Sequence, residues 1–516
     1  MQPVAPPDAR PHPLDHLATR GAAHDTALIL RDRILRYADL DARVGALAAW
    51  LAARFAAGSR VATWAGKGEL TCLMPLAAAR AGLVHVPINP LLKRAQVSYI
   101  LHDCEAALLA ANEARRSTLA GEDIPASCDT IAEPVLWQAV EEAGSYLPPS
   151  TRDPEQLCAI LYTSGSTGLP KGVMLSHRNL WLGAVSVAHY LQLAADDVTL
   201  AALPLSFDYG QNQLLSTWYA GGVVVPLDYL VPKDVVKACD RHSVTTLAAV
   251  PPLWVQLVEV DWPASSIAAL RRVTNSGGAL TRPLVAAMKR TFPHADIVPM
   301  YGLTEAFRSS YLPPDLVAQH PTSIGLPIPF AELLVVNEAG GAASAGEEGE
   351  LVHCGPLVAQ GYWRDPVRTA ERFRPAPAWS KHGGIAVYSG DRVRRDADGL
   401  LYFVGRRGGM IKSAGNRISP DEIEEAAMAS GLLSEAVALG VPDERLGQAV
   451  HLAVRGAGGA SGETRERLQQ HLARELPTFM QPRVVHWLDA LPRNANGKLD
   501  RAALLAHLTA IEEAEL

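Results

Sequence analysis

The chain has 516 residues and a formal net charge of -7 at neutral pH. This length exceeds one ordinary core, so we expect two or more domains. The negative charge, without a block rich in lysine and arginine, argues against a nucleic-acid-binding protein. The first residues lack the apolar h-region of a signal peptide, and no apolar run reaches the roughly 20 residues that cross a bilayer. Six scattered cysteines without a C-x-x-C pair predict reduced thiols. We therefore expect a cytoplasmic protein without a membrane span.

Strand-like and helix-like segments alternate along the first part of the chain. Proline-rich residues 1–13 predict a flexible arm. Beyond it, apolar spacing predicts a hairpin, then a helix, a strand, a helix and a strand, at residues 27–30 with 34–36, 40–56, 60–64, 70–81 and 84–87. A similar rhythm follows residue 176, with a helix over 179–191 and strands near 222–225 and 245–250. This alternation predicts an α/β fold.

A loop rich in hydroxyl groups follows a short apolar strand at Leu157–Tyr162. The loop contains Thr163, Ser164, Gly165, Ser166, Thr167 and Gly168, with Lys171 just beyond it. Small residues allow consecutive backbone N–H groups to face one concavity, and lysine adds positive charge, which suits phosphate binding. It is not a Walker A loop, because Gly172 follows the lysine. The loop alone fits a phosphate site or a flexible surface turn equally well.

Two short glycine-containing runs follow later predicted strands. The first, residues 274–279, contains Gly277, Gly278 and Ala279, which would allow a flat ring to approach the backbone. The second, Met300-Tyr301-Gly302-Leu303-Thr304-Glu305, combines an aromatic ring, a hydroxyl group and a carboxylate. These groups suit base stacking, phosphate contact and Mg²⁺ binding, although an ordinary strand end with a turn would also produce this pattern.

A domain boundary is predicted near residues 407–408. Ser389-Gly390-Asp391 precedes a predicted hairpin with its turn at 396–399, and Asp391 is placed to accept ribose hydroxyls or to serve only as a turn residue. Gly408 and Gly409 then form a natural hinge, because both residues tolerate large φ/ψ changes. We expect an N-terminal domain over 14–407 and a smaller domain over 408–516.

The C-terminal segment is predicted to fold as a small α/β unit. It should open with a helix capped by Ser419 and Glu422 and stopped at Gly431. Strands at 436–441 and 449–454, a helix at 464–476 and a strand at 484–488 should follow. Lys498 comes next, between turn-forming residues, so it is expected on an exposed loop.

These motifs, in this order from about Tyr37 to Arg501, closely resemble the AMP-forming adenylate-forming superfamily of acyl-CoA synthetases, luciferases and peptide-synthetase adenylation domains. The runs LPLSFDYGQNQL and YGLTEAFRSSYLPP look most similar to exosortase-associated AMP-forming acyl-CoA ligases. They are also similar to free-standing ligases that load proline onto a carrier protein. The resemblance implies a large N-terminal α/β domain of several subdomains and a small, mobile C-terminal α/β domain.

The resemblance also implies a two-step reaction that uses ATP and Mg²⁺. A carboxylate attacks the α-phosphate to give an acyl-adenylate and pyrophosphate, and the thiol of coenzyme A or of carrier-protein phosphopantetheine then displaces AMP. Lys498, Thr304 and Glu305 would serve adenylate formation, with Glu305 holding the metal. Nucleotide binding is expected at Thr163 to Gly168, Lys171, Gly277, Gly278, Ala279, Tyr301, Gly302, Asp391, Arg406 and Arg417.

In the second step, the resemblance implies that the small domain rotates. Lys498 then leaves, and the loop at Lys412 to Gly415 enters and opens a tunnel in which Ser413 and Gly415 face the thiol. Members of the family usually carry Asp or Lys where Gly408 stands. The hinge should therefore be looser in this chain, since glycine offers no anchoring side chain.

The resemblance places Asp208, Tyr209, Asn212, Met300 and Arg308 around the acid. Asp208 matches the residue that pairs with an α-ammonium group in amino-acid-activating members, which would suit a buried carboxylate. Arg308 would satisfy Asp208 equally well, and the acid would then be a neutral one. We expect an amino acid or a small polar acid. The alternatives are a medium- or long-chain fatty acyl-CoA ligase and a catalytically weak adenylate-binding homologue.

Other classes fit the sequence less well. A homologue without catalytic activity would be expected to lose Lys498 or Glu305, and both are present. The chain is not expected to be a P-loop kinase, because it lacks the GK[ST] sequence of a Walker A loop. A luciferase-like activity is possible on the same fold, but no residue singles it out. The histidines, including His177, show no nucleophile-and-base pattern and are expected to be structural.

Overall fold

The structure is a computed structural model. It describes residues 6–163, 170–406, 411–413, 416–418, 420–443, 446–459, 461–476, 478–494 and 497–515, without the side chains of residues 406, 412, 416, 417, 447, 479 and 511–515. Residues 1–5 of the expected arm lie outside this description. Of the remainder of the arm, His12 packs its ring 5.0 Å from that of Trp181. The first turn, Leu14–Thr19, is a 3-10 helix with its leucines fully buried.

The first part of the chain alternates strands and helices as predicted. Its elements are β1 (Thr26–Ile29), β2 (Ile34–Arg36), α1 (Tyr37–Ala52), β3 (Arg60–Trp64), α2 (Glu69–Ala81), β4 (Val84–Pro87), α3 (Arg94–Asp103), β5 (Ala106–Ala111), α4 (Glu113–Arg116), β6 (Asp129–Ala132), α5 (Glu133–Ala143) and β7 (Leu157–Thr163). The bounds of β3 and β4 agree with the prediction. The helix predicted from residue 40 begins at Tyr37, because Asp39 accepts from the Arg36 N–H at 2.9 Å and caps that turn.

The middle of the chain supplies the longest sheet. Its elements are β8 (Lys171–Ser176), α6 (His177–Tyr190), β9 (Val198–Ala201), α7 (Asp208–Tyr219), β10 (Val223–Pro226), α8 (Pro232–His242), β11 (Thr246–Ala249), α9 (Pro251–Leu257), α10 (Ala264–Ala269), β12 (Arg272–Asn275), α11 (Arg282–Thr291), β13 (Asp296–Tyr301), β14 (Ser310–Tyr311), β15 (Ser323–Pro327), β16 (Glu332–Val336), β17 (Glu348–Cys354), β18 (Gly361–Tyr362), α12 (Pro366–Arg372), β19 (Phe373–Pro375), β20 (Ile385–Arg395) and β21 (Leu401–Arg406). The sequence suggested that Ser389 to Asp391 precede the hairpin. They lie instead inside β20, which is its first strand.

The C-terminal part begins differently from the prediction. Its elements are β22 (Ile411–Ser413), β23 (Asn416–Ile418), α13 (Pro420–Ala429), β24 (Leu433–Asp443), β25 (Gly447–Gly456), α14 (Gly462–Glu475), β26 (Val484–Trp487) and α15 (Arg501–Glu515). It therefore opens with the β22–β23 hairpin and not with a helix. These strands are only three residues long, too short for a period-2 pattern to reveal them. Ser419, the expected cap, lies outside the described residues.

The strands that the structure describes form three sheets. The largest has the order β16-β17-β20-β21-β15-β14-β13-β12-β11-β9-β10-β1-β2, with β19 beside β20. The second has the order β18-β8-β7-β4-β3-β5-β6, and the third has β23-β22-β25-β24 with β26 beside β25. Strands β10, β9, β11, β12 and β13 run parallel. Their carboxyl ends therefore meet along one edge, where α/β proteins bind ligands.

Apolar packing divides the chain into a larger and a smaller domain. The largest buried cluster draws its side chains from Leu14 to Leu400, whereas those from Ile411 onward form separate clusters. The two parts meet through an ion pair in which Arg455 Nη2 lies 3.6 Å from Glu259 Oε1. All six cysteines are free thiols, as expected. Within the described ranges, no helix has both the length and the apolar character that a bilayer crossing requires.

Candidate active site

The candidate active site lies at the carboxyl ends of β12 and β13, two neighbouring parallel strands. β12 ends at Asn275 and β13 ends at Tyr301, and the strand register pairs Asn275 with Pro299. The turn after β12 is shaped by Gly277, with a φ of +81°, and by the Asn275 amide, which donates to the Gly278 carbonyl at 2.9 Å. The glycine run and the Tyr-Gly-Leu-Thr-Glu run are therefore brought side by side.

Lys498 reaches this edge from the C-terminal part of the chain. A Cβ atom at position 277 would lie 2.9 Å from Lys498 Cε and 3.4 Å from Lys498 Nζ. The Lys498 N–H donates to Asn494 Oδ1 at 3.1 Å, and Gly497, with a φ of +76°, lies in the same turn. Glycine at 277 thus permits both the positive φ and the close approach of the lysine.

Glu305 is held by two side chains from another sheet. Lys171 Nζ donates to Glu305 Oε1 at 3.1 Å, and the Tyr362 hydroxyl donates to the same oxygen at 2.6 Å. Lys171 also donates to the Tyr362 oxygen at 2.7 Å and lies over its ring. Burial opposes ionisation of Glu305, but Lys171 and the Tyr362 hydrogen bond outweigh it and hold the pKa of the carboxyl below its usual value. Glu305 is therefore an ionised, buried carboxylate.

Asp391 lies on β20 and meets the tyrosine at the end of β13. The Tyr301 hydroxyl donates to Asp391 Oδ2 at 2.5 Å, and the Asp391 N–H donates to Ser389 Oγ at 3.1 Å. The aspartate is 3% exposed, so it is a buried carboxylate and not the exposed turn residue that the sequence also allowed. The structure joins Tyr301 and Asp391, two residues predicted to contact the nucleotide.

Asp208, at the start of α7, is paired within the protein. Arg308 Nη1 lies 3.3 Å from Asp208 Oδ2, and the Thr304 hydroxyl donates to Asp208 Oδ1 at 3.2 Å. The Arg308 guanidinium also lies 4.5 Å from the centre of the Tyr209 ring. Of the two arrangements that the sequence left open, the internal ion pair is present. A substrate ammonium would therefore have to compete with Arg308 for this carboxylate.

A strained turn directs Arg308 inward. Phe307 has a φ of +57° and is fully buried, and Arg308 N–H donates to the Ala306 carbonyl at 2.6 Å. The Phe307 ring fits against Gly183 on α6, where a Cβ would lie only 2.1 Å from the ring. A non-glycine residue at positive φ is costly, so packing must fix this turn.

Several of the predicted site residues are only partly described. Thr163 is described, and its buried hydroxyl has no hydrogen-bond partner within the described part of the chain. Ser413 lies on β22 and is 5% exposed. The positions outside the description are Ser164, Gly165, Ser166, Thr167, Gly168, Gly408, Gly409, Gly415 and the side chains of Lys412, Arg406 and Arg417.

Tyr362 was missed by the sequence analysis. It lies on β18, which pairs with β8, and this pairing places its hydroxyl between Lys171 and Glu305. The signal available was the Gly361-Tyr362-Trp363 run, but a tyrosine on a two-residue strand is not distinctive without knowledge of the sheet. His177 is structural, as expected, because its Nδ1 accepts from the Leu14 N–H at 3.1 Å.

Comparisons with known proteins agree with this geometry. The L-proline–(L-prolyl-carrier protein) ligase of Streptomyces coelicolor is 32% identical over 497 residues, covering 90% of this chain and 91% of that protein. Sulfoacetate–CoA ligase of Cupriavidus necator is 32% identical and covers 89% of each chain. By contrast, the chain spans 13% of surfactin synthase subunit 2 of Bacillus subtilis and 6% of the peptide synthetase CymA of Salinispora arenicola, each 31% identical to it.

The fold is similar to that of solved ligases. The ATP-bound crystal structure of MatB from Rhodopseudomonas palustris superposes with a TM-score of 0.86 at 26% identity, covering 97% of this chain and 100% of that chain. A model of the AMP-binding enzyme family matches residues 14–363, and a model of the AMP-binding enzyme C-terminal domain matches residues 422–498. The chain therefore belongs to the AMP-binding enzyme family, whose members similar to it include acid–thiol ligases.

Proposed function

We propose that this protein is an AMP-forming acid–thiol ligase. It activates a carboxylic acid with ATP as an acyl-adenylate, releases pyrophosphate, and transfers the acyl group to a thiol. The observation that carries this proposal is the approach of Lys498 to Gly277, beside the end of β13 at Tyr301 and the following 3-10 turn that contains Glu305. A lysine between a carboxylate and a phosphate lowers the cost of bringing two anions together.

The other site residues fit the parts of ATP. The adenine would lie between the Gly277–Ala279 turn and the Tyr301 ring, and Asp391, held by Tyr301, would accept from the ribose hydroxyls. Thr304 would contact the α-phosphate. Thr163, whose hydroxyl has no partner among the described residues, and Lys171 would contact the departing pyrophosphate. Arg406 and Arg417 would add phosphate contacts.

The donor set also fits Mg²⁺. Mg²⁺ is usually held by one or two protein carboxylates together with phosphate oxygens and water. Glu305 is such a carboxylate, and the described residues contain no cluster of three His, Cys, Asp or Glu that would form an all-protein metal site. When bound, the ion would neutralise charge on the phosphates. Lys171 and Tyr362 hold Glu305 in place before it binds.

For the second step, we propose that residues 408–516 rotate as a unit about Gly408 and Gly409. Lys498 would leave, and Ser413 and Gly415 would then line the path of a pantetheine thiol. Coenzyme A and a phosphopantetheinylated carrier protein share this thiol arm. The two acceptors are distinguished by incubating the protein with each of them and measuring AMP and thioester. Only the true acceptor should give AMP in proportion to the thioester formed.

The acid should be small. The cavity beside Tyr209, Asn212, Met300 and Arg308 has a volume of about 20 Å³, which is too small to hold a medium or long chain. This favours an amino acid or a small polar acid over a fatty acid. Between these two, the Asp208–Arg308 ion pair favours the small polar acid.

The test is pyrophosphate exchange into ATP, measured over a panel of acids for wild type and for Lys498→Ala. We expect exchange to fall by on the order of 10²-fold or more in Lys498→Ala, because the lysine supplies charge where negative charge gathers. Lys233→Ala, at an exposed position on α8, is the matched control and should exchange like wild type. Undiminished exchange in Lys498→Ala would contradict the proposed role.

A further inference from the structure

A small cavity adjoins the candidate adenylate site. It lies between α6 and α7 on one side and β9, β11, β12 and β13 on the other, and its volume is about 20 Å³. The residues that matter for its chemistry are Tyr209, Asn212, Thr274, Met300 and Arg308. A space of this size holds about one water-sized group. It can therefore receive one small substituent of a bound acid.

Most polar side chains around this cavity already have partners. The hydroxyls of Tyr209 and Thr274 are 2.7 Å apart, and Gln213 bonds to backbone groups through both of its amide atoms. Asn212 and Arg308 differ. Both Asn212 amide atoms and Arg308 Nε are buried and have no hydrogen-bond partner among the described residues, and each residue is 2% exposed. Native proteins seldom leave such groups unpaired, so a ligand group or an ordered water that pairs with them is expected here.

The three unpaired atoms are two hydrogen-bond donors and one acceptor. Asn212 Nδ2 and Arg308 Nε donate, whereas Asn212 Oδ1 accepts. A hydroxyl group has one donor hydrogen and two acceptor lone pairs, so it can satisfy both kinds. A plain methyl group can satisfy neither.

The charge of the pocket is already balanced. Asp208 and Arg308 neutralise each other, with Thr304 as an additional donor to Asp208. A substrate ammonium would lie near the Arg308 cation, and a second substrate carboxylate would lie near the Asp208 anion. In a buried site either like-charge contact is unfavourable. A neutral polar group meets neither penalty.

We propose that the acid activated by this protein is a short hydroxy acid whose neutral hydroxyl group occupies the cavity and pairs with Asn212 and Arg308. This proposal rests on the ligase function proposed above. It assigns Asn212 as a specificity-determining residue and Arg308 as both the partner of Asp208 and a donor to the substrate.

The test compares acids that differ in one group. Pyrophosphate exchange would be measured with lactate and 3-hydroxybutyrate, with their deoxy analogues propionate and butyrate, with alanine, β-alanine and proline, and with malonate and sulfoacetate. We expect a hydroxy acid to give the highest kcat/KM, on the order of tenfold or more above its deoxy analogue, because that analogue leaves the buried groups unpaired.

Two variants locate the effect. Asn212→Leu should lower the ratio of hydroxy to deoxy acid to about one, whereas the matched control Gln211→Met should leave the ratio unchanged. Gln211 is also a buried amide on α7 that lacks a partner within the described ranges, but it does not line the cavity. A thermal melt of each variant checks that it is folded.

The outcomes separate the two proposals. The hydroxy-acid inference would be overturned if an amino acid, a dicarboxylate or a sulfonate gave the strongest exchange. It would also be overturned if hydroxy and deoxy acids gave equal exchange. In each case the ligase proposal would still stand. The last of these results would mean that water alone fills the cavity. No exchange with any acid, in a folded protein, would contradict both.

Discussion

At the scale of single residues, the site depends on buried carboxylates that are paired with polar side chains of the protein. Glu305 remains charged because Lys171 and Tyr362 both contact one of its oxygens. Asp208 forms an ion pair with Arg308 and accepts a hydrogen bond from Thr304, and Asp391 accepts one from Tyr301. Each pairing offsets the cost of removing a charge from water. The same pairs define which residues a ligand must join or displace.

Tyr362→Phe should weaken the metal-dependent step. The variant removes the hydroxyl that donates to Glu305, so the pKa of that carboxyl rises toward its usual value and its position loosens. We expect kcat/KM for pyrophosphate exchange to fall about tenfold and the Mg²⁺ concentration for half-maximal exchange to rise, since outer contacts of this kind are worth about that factor. A Mg²⁺ titration measures both. Tyr388→Phe is the control, because the Tyr388 hydroxyl donates to the Pro375 backbone carbonyl, at 3.3 Å, and not to Glu305.

His177 should make stability depend on pH. Burial lowers its pKa from 6.5 to about 4, so the unfolded chain takes up a proton more readily than the folded chain between these values. The free energy of unfolding should therefore fall as pH drops from about 6.5 to 4, by about 3 kcal/mol from this residue.

Urea denaturation at several pH values tests this dependence. In His177→Asn the decline from pH 6.5 to 4 should be smaller than in wild type, since the titrating group is gone. His85 and His353, with similarly lowered pKa values, remain in both proteins and cancel in the comparison. Parallel declines would show that His177 is not a source of the pH dependence.

At the scale of elements, the site depends on how α6 packs against the turn after β13. Phe307 fits against Gly183, and this contact holds the positive-φ turn that points Arg308 toward Asp208. The predicted helix over 179–191 agreed closely with α6, at His177–Tyr190. Its role in orienting an arginine more than 100 residues away, however, could not be read from its own periodicity.

Gly183→Ala should therefore impair both stability and adenylation. The new Cβ would lie 2.1 Å from Phe307, so the ring or the helix must shift. We expect a loss of about 1–3 kcal/mol in the free energy of unfolding, as for other overpacked cores. Exchange activity should fall with it, because Arg308 follows Phe307. Gly121→Ala, where a Cβ meets nothing within 4 Å, should change neither quantity.

At the scale of the whole molecule, the site is shared between two separately packed parts. Lys498 belongs to the smaller part, and Gly277 belongs to the larger one. Within the described residues, the Arg455–Glu259 pair is a polar contact between the parts, and at 3.6 Å it is a weak one. Such an arrangement is suited to rotation between two chemical steps.

Gly408→Asp should affect the two half-reactions unequally. An aspartate would restrict the hinge and add a charge that can anchor one orientation, whereas glycine offers neither. We expect the rate of thioester formation to change several-fold and pyrophosphate exchange to change little. Single-turnover measurement of each half-reaction decides this, and equal effects on both would contradict the hinge role. Gly458→Ala, in the loop after β25 and with nothing within 4 Å of its side-chain position, controls for a glycine change in the same part.

The sequence by itself determined the fold class, most elements and the chemical inventory of the site. β3 and β4 were predicted to the residue, because each is a short apolar run ended by turn residues. The glycine, tyrosine and lysine motifs were also visible, since their residue types are unusual together. These features depend on residues that are close together along the chain, so the amino-acid sequence alone is enough to predict them.

Only the tertiary structure decided which residues meet. It shows Asp208 paired with Arg308, where the sequence also allowed a substrate ammonium, and it places Tyr362 between Lys171 and Glu305. It also shows the Asn212 side-chain amide beside a small cavity, without a hydrogen-bond partner among the described residues. These contacts join segments from different sheets and helices. Their distances depend on how sheets pack and loops close, and local periodicity contains no information about that packing. The sequence therefore predicted the reaction class, and the structure supplied the contacts from which we infer the chemistry of the substrate.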